Sequence, residues 1–316
     1  MSSKPTKIKK RIAFTLGDLG GIGPEIYKKF LESNKDDCFD YILIDEELNF
    51  QEKMSHVELG KPSKLSGEHA YNVLERAHEK CLSGECDYLI TGPVAKESLW
   101  LAGIQVSGQT ELLAKFNGLN REEIEMFFVL DQFRTVLATR HIPIKEVACV
   151  LEERLSFVLN NSLLALREIF MIDKPSIAVA GLNPHAGENG IIGLEEKKFI
   201  ESMVKDFALK NPDLKVVGPL SADSLLAIAA QKYLKHEKPD YDLYVAAYHD
   251  QVLPLIKGLG GLRAINLTVG LPYIRLSVDH GTGFDIVNKN IASPEGFESC
   301  LSFCRNTENI VFSANK

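Results

Sequence analysis

The chain has 316 residues, 45% of them hydrophobic and 25% charged, as is typical of globular proteins with a sizeable core. The formal net charge of −7 argues against general nucleic-acid binding, which needs a basic face. No apolar run approaches the roughly 18 residues that a membrane helix needs, and no secretory signal is visible, so we expect no membrane partner and a cytoplasmic location.

Short apolar runs alternate with helical patterns along the chain. The strand-like runs are at residues 11–16, 41–45, 87–91, 125–130, 134–139, 176–181, 215–218, 242–248 and 263–268. The helical patterns are at residues 24–33, 66–83, 93–102, 108–116, 152–171, 194–210 and 222–235. This alternation predicts an α/β fold with parallel strands. We expect two α/β lobes that share one crevice, the first from residues 1–125 plus 281–316 and the second from residues 126–280.

A glycine-rich segment, GDLGGIGPEI at residues 17–26, follows the first strand and opens the first helix. Its glycines allow a tight turn and a close approach of the backbone to a ligand. The spacing does not match the GxGxxG dinucleotide fingerprint. A simple strand-to-helix turn explains the glycines as well, but Asp18 at the strand end indicates a polar partner, which is either a ligand or the other lobe.

Two further segments combine hydroxyl side chains with helix starts. TGPVAK at residues 91–96 ends a strand, and Thr91 can cap the turn that follows it. SGQTE at residues 107–111 opens a helix, where Ser107 and Thr110 can act as caps. The alternative for Thr110 is that it faces a phosphate together with the helix N-terminus.

Three histidines each follow a strand-like run: His141 after RTVLATR, His185 after SIAVAGLNP and His249 after LYVAAY. Ligands of open α/β sheets bind outside the carboxyl ends of the strands, so these imidazoles can meet around one divalent cation. A lone histidine is more often structural than a ligand. Three at strand ends, far apart in the sequence, favour a catalytic metal site over a compact structural one.

Charged and amide side chains downstream of the third histidine indicate an anion site. Asp250 adjoins His249 and can orient a ligand, accept a proton or cap the next helix. Lys257, Asn266 and Arg275 can supply donors to a carboxylate or phosphate, and arginine offers a fixed guanidinium fork.

In order, and from residue 17 to about residue 286, these motifs resemble those of the 4-hydroxythreonine-4-phosphate dehydrogenases of pyridoxal phosphate biosynthesis. The most specific matches are LNPHAGE, YHDQ and GLPYIRLSVDHGT. The resemblance implies the two-lobed α/β/α fold of isocitrate and isopropylmalate dehydrogenases. It also implies a homodimer whose active site lies at the subunit interface, a small phosphorylated hydroxy-acid substrate, NAD or NADP, and one divalent metal (Zn, Mg, Mn or Co).

The resemblance also implies roles for single residues. The matching metal ligands are His141, His185 and His249. The matching substrate-binding positions are Gln109, Thr110, Lys257, Asn266 and Arg275. The segment similar to the cofactor-binding loop contains His280, Gly281 and Thr282. For proton transfer in an oxidation followed by decarboxylation, our candidates are Asp250 and Asp223.

The chain departs from the family pattern at several positions. Gln109 stands where the motif has a histidine that contacts substrate, Arg140 replaces a small residue, and Leu276 replaces a threonine. From the resemblance we expect oxidative decarboxylation of 4-phosphooxy-L-threonine to 3-amino-2-oxopropyl phosphate. Because of the departures, erythronate and threonate 4-phosphate are alternative substrates. A metal-dependent lyase or hydrolase, which would need no nicotinamide, is a further alternative.

Overall fold

The computed structural model describes residues 9–34 and 38–307. Within these two stretches, no helix is both long enough and apolar enough to cross a membrane. The chain divides into two compact units, Met1–Arg121 with Leu271–Lys316 and Glu122–Gly270. Residues 271–280, which the sequence assigned to the second lobe, belong to the first unit.

The elements alternate along the chain as an α/β protein requires. The strands are β1 (Lys10–Thr15), β2 (Phe39–Leu43), β3 (Tyr88–Thr91), β4 (Glu125–Leu130), β5 (Phe133–Leu137), β6 (Ser176–Ala180), β7 (Lys215–Leu220), β8 (Leu243–Ala246), β9 (Ile265–Val269) and β10 (Ile274–Val278). The helices are α1 (Gly23–Ser33), α2 (Ile44–Glu47), α3 (Phe50–Met54), α4 (Lys64–Leu82), α5 (Lys96–Leu101), α6 (Gln109–Phe116), α7 (Val147–Glu168), α8 (Glu201–Lys210), α9 (Ala222–Leu234), α10 (His249–Gly260) and α11 (Glu295–Asn306). Single 3-10 turns cover residues 121–123, 144–146 and 284–286. Residues 184–190 form a turn with largely left-handed backbone angles, and a π-helical turn at residues 196–200 leads into α8.

The strands of the first unit follow the order β2-β1-β3-β10, and each neighbouring pair is parallel. Their side chains are mostly buried, as expected for parallel strands covered on both faces. Phe14 of β1 packs against Phe30 of α1 and Phe297 of α11, with ring centroids 5.2 and 5.6 Å away. The carboxyl ends of the strands therefore share one edge, where the glycine-rich segment and Thr91 lie.

The strands of the second unit follow the order β9-β4-β5-β8-β6-β7. β4 runs antiparallel to both β5 and β9, so the expectation of parallel strands is wrong for this strand. A two-residue turn joins β4 to β5, and Asp131 adopts a left-handed φ of 54° in it. Such a short connection can only form a hairpin, because a parallel crossover needs a dozen or more residues.

The predicted α/β class is confirmed, and each of the nine strand-like runs overlaps an observed strand. The sequence did not predict β10, a fully buried strand whose second residue, Arg275, is charged. It also left α10 and α11 out of the predicted helices. α10 contains Pro254 and two glycines, which are poor helix formers, and it is held instead by burial of Val252, Leu253 and Ile256.

Candidate functional site

The structure brings two of the three predicted histidines together in the second unit. His141 follows β5 and has a left-handed φ of 50°. His249 is the first residue of α10, just after β8. Because β5 and β8 are parallel neighbours, their carboxyl ends lie side by side. The two imidazole ring centroids are 5.5 Å apart, with an interplanar angle of 45°.

This pair fits the chemistry of a divalent cation. Two imidazoles bound to one tetrahedral ion have ring centroids about 5 Å apart, given metal–nitrogen bonds of about 2 Å. The Nδ1 atom of His249 lies 2.6 Å from Oδ1 of Asp250. A carboxylate in this position fixes the ring orientation and leaves Nε2 for a ligand. Of the roles left open for Asp250, the structure favours orientation of His249.

The third histidine, His185, lies in the turn at residues 184–190, also in the second unit. His185, Ala186, Glu188 and Asn189 all have left-handed φ values between 45° and 58°. This conformation is unfavourable for residues with a Cβ, and such strain concentrates at functional sites. Within the described residues, no group of three or more His, Cys, Asp or Glu side chains has the geometry of a metal site. The assignment of His185 as the third ligand therefore stays a prediction.

Asp223, the other acid–base candidate, lies in the first turn of α9. Its Oδ1 accepts a hydrogen bond of 2.5 Å from the Ser221 hydroxyl. This bond, helped by the backbone N–H of Ser224 and by the nearby His185, lowers the pKa of Asp223 below its ordinary value. Asp223 is therefore an exposed and ionised carboxylate that interacts electrostatically with His185.

The base of the His185 loop is held by Glu196, which the sequence analysis missed. Glu196 is buried and accepts hydrogen bonds from the backbone N–H and the side-chain amide of Asn183, at 2.8 and 2.9 Å. A Cβ on Gly187 would lie 2.6 Å from the same carboxylate. The only available sequence signal was the Asn183 amide in the LNPHAGE motif, since Glu196 looks like an ordinary surface residue of a helix.

Lys257 and Asn266, two predicted substrate-binding residues, also belong to the second unit. Lys257 is exposed on α10, two helical turns after His249. Asn266 is buried on β9, and its Oδ1 finds no hydrogen-bond partner among the described residues. A buried unsatisfied amide oxygen costs about 1 to 3 kcal/mol, so this atom is a candidate ligand contact.

Arg275 and Thr110 meet in the first unit. The Arg275 guanidinium is 2% exposed on β10. Its Nη2 donates to the Thr91 hydroxyl at 2.7 Å and its Nη1 to the Thr110 hydroxyl at 3.4 Å. Burial lowers the pKa of Arg275 to about 10. A buried guanidinium held by neutral hydroxyls is a suitable donor to a phosphate or carboxylate.

Gln109 lies beside this arginine cluster, and its Nε2 donates to the backbone carbonyl of Gly92 at 2.9 Å. Capping does not account for the nearby hydroxyls. Gly108 occupies the N-cap position of α6, and the Ser107 hydroxyl donates to Glu111 at 2.8 Å. Thr91, interpreted from the sequence as a turn cap, is instead a partner of Arg275.

The glycine-rich segment is bonded to protein groups of its own unit. Asp18 is fully buried and accepts hydrogen bonds from the Ser98 hydroxyl at 2.5 Å and from the Gly20 N–H at 3.0 Å. The Ile22 N–H donates to the Thr282 carbonyl at 2.9 Å. A Cβ on Gly21 would lie 2.7 Å from that carbonyl. Asp18 thus has a partner inside its own unit.

The predicted cofactor loop therefore packs directly on the glycine-rich segment. Within this loop His280 is half-buried, and its Nδ1 lies 2.9 Å from the Gly281 carbonyl. Gly281 is exposed and Thr282 half-buried. The loop is thus partly exposed to solvent, and the Thr282 backbone is held by its contacts with Gly21 and Ile22.

Arg140, one of the departures from the family pattern, is buried directly before His141. Its Nη2 donates to the Ile124 carbonyl at 2.8 Å. From α7, Arg154 donates through Nε to the Ala138 carbonyl at 3.2 Å, and its Nη2 donates to both carboxylate oxygens of the buried Glu125 at 2.9 Å. Burial raises the pKa of Glu125, and the two arginines oppose that shift. The chain leading to His141 is therefore held by buried arginines.

Comparison with known proteins gives matches along most of the chain. A family model described as pyridoxal phosphate biosynthetic protein PdxA matches residues 23–304. A 4-hydroxythreonine-4-phosphate dehydrogenase of Wigglesworthia glossinidia brevipalpis is 43% identical over 236 residues, 73% of this chain and 67% of that protein. One of Synechococcus sp. (strain JA-3-3Ab) is 34% identical, and the match covers 92% of each. A crystal structure of the Klebsiella pneumoniae enzyme of that name has a TM-score of 0.78 at 28% identity, covering 93% of this chain and 99% of that one.

Proposed function

The chain belongs to the PdxA family of pyridoxal phosphate biosynthetic proteins, and from that membership we propose that it oxidises and decarboxylates 4-phosphooxy-L-threonine. The product is 3-amino-2-oxopropyl phosphate, and the hydride acceptor is NAD or NADP. The observation that carries the proposal is the buried Arg275 guanidinium held by the Thr91 and Thr110 hydroxyls. It supplies the anion-binding group that a phosphorylated acid requires.

The proposed reaction needs two bound components, a nicotinamide cofactor and a divalent metal ion. When bound, the nicotinamide accepts the hydride and the divalent cation polarises the oxygen on the reacting carbon. His141, His185 and His249 would hold the cation, and the spacing of the His141 and His249 rings supports this assignment. Imidazole ligands favour zinc or cobalt over magnesium, with manganese between them. His280, Gly281 and Thr282 would hold the cofactor.

Each of the two acidic candidates interacts with one of the proposed metal ligands. Asp223 is exposed in the first turn of α9, so we assign its carboxylate as the acceptor of the proton of the substrate hydroxyl. Asp250 is bonded to Nδ1 of His249, so its role is to orient that imidazole. The two candidates named from the sequence thereby take different roles.

The remaining polar residues fix the anionic groups of the substrate. Arg275, Thr110 and Gln109 would bind one anionic group, with Arg275 as the charged donor. Lys257 and Asn266 would bind another, and the unsatisfied Oδ1 of Asn266 supports a ligand at that position.

We further propose a cytoplasmic homodimer in which the active site lies at the subunit interface, so that both subunits supply residues. The resemblance of the site motifs to those of the family supports this assignment. Equilibrium sedimentation would give the assembly state. Mixing a His185→Ala subunit with an Arg275→Ala subunit tests the sharing of sites, because complementation restores activity only when two chains build one site.

Because Gln109 changes a residue of the proposed substrate site, a second candidate is oxidation of erythronate or threonate 4-phosphate. Gln109 contributes a neutral amide where an imidazole can carry a positive charge. A metal-dependent lyase or hydrolase would use the same cation and anion residues without a nicotinamide.

The test is a panel of these three phosphorylated acids, each with NAD or NADP and with Zn, Mg, Mn or Co. We expect reduced nicotinamide to form, as followed by its absorbance, with 4-phosphooxy-L-threonine as the substrate of highest kcat/KM. Preference for erythronate or threonate 4-phosphate would select the second candidate. Substrate consumption without nicotinamide reduction would contradict both and indicate a lyase or hydrolase.

A further inference from the structure

The turn at the carboxyl end of β3, formed by Thr91 and Gly92, touches two of the proposed substrate-binding side chains. Thr91 is fully buried on the strand next to β10, in register with Ser277. Its hydroxyl oxygen accepts the 2.7 Å hydrogen bond from Nη2 of Arg275. The same hydroxyl lies 3.5 Å from the Leu276 carbonyl, to which it donates. The Thr91 side chain therefore links the Arg275 guanidinium to the backbone of β10, the strand that carries Arg275.

The next residue holds the second side chain through its backbone. The Gly92 carbonyl accepts the 2.9 Å hydrogen bond from Nε2 of Gln109. The Gly92 N–H donates to the Thr15 carbonyl at 2.8 Å. A Cβ on Gly92 would lie 2.3 Å from the Leu16 carbonyl. The Gly92 backbone is thus held by its hydrogen bond to β1 and packs so closely on the Leu16 carbonyl that a side chain would not fit. These contacts fix the position of the Gly92 carbonyl.

We propose that Thr91 and Gly92 form the positioning element that presents Arg275 and Gln109 to the anionic group of the substrate. Thr91 orients the guanidinium, and Gly92 orients the amide, so a single rigid turn sets the distance between both donors. The Gln109 amide has two N–H donors, and the Gly92 carbonyl accepts one of them. The proposal rests on the proposed function, since it takes the substrate roles of Arg275 and Gln109 from there.

The physical reason is preorganisation. A long side chain that is free to rotate loses about 0.5 to 1.5 kcal/mol of entropy when it is fixed by a ligand, and a side chain already held by the protein avoids that loss. Thr91 does not alter the charge of Arg275, and it does not itself need to contact the substrate. Its effect belongs to binding rather than to the chemical step.

The experiment replaces Thr91 by Val, which keeps the shape of the side chain and removes the hydroxyl. We expect KM for the phosphorylated substrate to rise about tenfold and kcat to change less than about twofold, because hydrogen bonds to charged groups contribute modestly but measurably. The dissociation constant of inorganic phosphate, measured by isothermal titration calorimetry, should rise by a similar factor. Thr91→Ser restores the hydroxyl and should restore both values.

Thr15→Val is the matched control, because Thr15 is a buried threonine at the register-paired position of β1. It should leave KM and phosphate binding unchanged. Thermal unfolding is measured for every variant. If Thr91→Val does not fold, Thr91→Ala removes the hydroxyl without adding a second methyl group, and it carries the same expectation.

The Arg275→Ala variant distinguishes a failure of the positioning role of Thr91 from a failure of the substrate-binding role of Arg275. If Arg275→Ala weakens phosphate binding and Thr91→Val does not, the positioning role is wrong and the proposed function stands. If Arg275→Ala leaves phosphate binding and KM unchanged, Arg275 is not in the anion site and the role proposed for it fails as well. A loss of stability in Thr91→Val with an unchanged KM would also overturn the proposal, because that result indicates a purely structural threonine.

Discussion

The arginine cluster (Arg275, Thr91 and Thr110) and the histidine cluster (His141, His249 and Asp250) are built in different ways. Arg275 and Thr91 are buried on neighbouring strands, and hydrogen bonds hold the guanidinium. His141 is exposed, with a left-handed backbone, and Asp250 is exposed at the start of a helix. His185, the third proposed ligand, is exposed in a turn with left-handed backbone angles. Hydrogen bonds between buried strands thus orient the Arg275 guanidinium, whereas His141 and His185 lie on exposed, strained backbone.

The difference follows from the energetics of the two kinds of ligand. A buried cation must be packed and hydrogen-bonded before any substrate arrives, because desolvation penalises it otherwise. A metal ion binds its ligands strongly enough to offset strain in the loops that carry them. The anion site is therefore organised by packing before a ligand binds, whereas the proposed metal site gains its stability when the ion binds. Substitutions can test each case.

The largest effect is expected from His185→Ala. If His185 is the third ligand, its loss should lower metal-dependent kcat by roughly 10⁴-fold, since a metal supplies several kcal/mol of transition-state stabilisation. Circular dichroism should remain that of the parent protein, because His185 is exposed. Metal content after dialysis is the second measurement, and turnover equal to the parent's would remove His185 from the ligand set.

The next effect concerns the support of the histidine cluster. Arg154→Met should lower the free energy of unfolding by about 3 to 5 kcal/mol, because it leaves the Glu125 carboxylate buried without its arginine partner. Urea unfolding measures this change. Arg167→Met is the control on the same helix, where the pair with Asp213 is exposed and 3.6 Å long, and it should change stability by less than about 1 kcal/mol. Equal losses of unfolding free energy in Arg154→Met and Arg167→Met would show that the buried pair contributes no more to stability than the exposed one.

Arg275→Ala tests the arginine cluster directly. Removing a buried donor to a charged ligand should raise KM for the phosphorylated substrate about 100-fold. Steady-state kinetics with the preferred acid of the panel measures it. Arg76→Ala, an exposed arginine of the same unit paired with Glu47, is the control and should leave KM unchanged.

The smallest effect is expected from Asp250→Asn. The amide can still bond to His249 but carries no charge, so the metal affinity should fall about tenfold. Titration of the metal-free protein with Co²⁺, followed by visible absorbance, measures the affinity. An unchanged affinity would contradict the orienting role and leave proton acceptance and helix capping, the other two roles that the sequence left open for Asp250.

Much of the site could be predicted from residue types at strand ends. The positions of His141 and His249 followed from apolar runs that end in a histidine, and the parallel pairing of β5 with β8 brings their rings together. The anchoring residues could not be predicted in this way. Thr91 looked like a turn cap and Glu196 like a surface residue, because a single sequence does not show which distant backbone a side chain meets.

The sequence by itself determined the α/β class, the positions of nine strands and the motifs shared with the PdxA family. These depend on local periodicity and on residue types at strand ends, which are written into short stretches of chain. The tertiary structure alone decided that β4 pairs with β9, that β10 is a buried strand carrying Arg275, and that Thr91 holds its guanidinium. The β4–β9 pairs join residues 136 to 144 positions apart, and the hydrogen bonds of Arg275 join residues 165 and 184 positions apart. Such contacts form only when the sheet assembles.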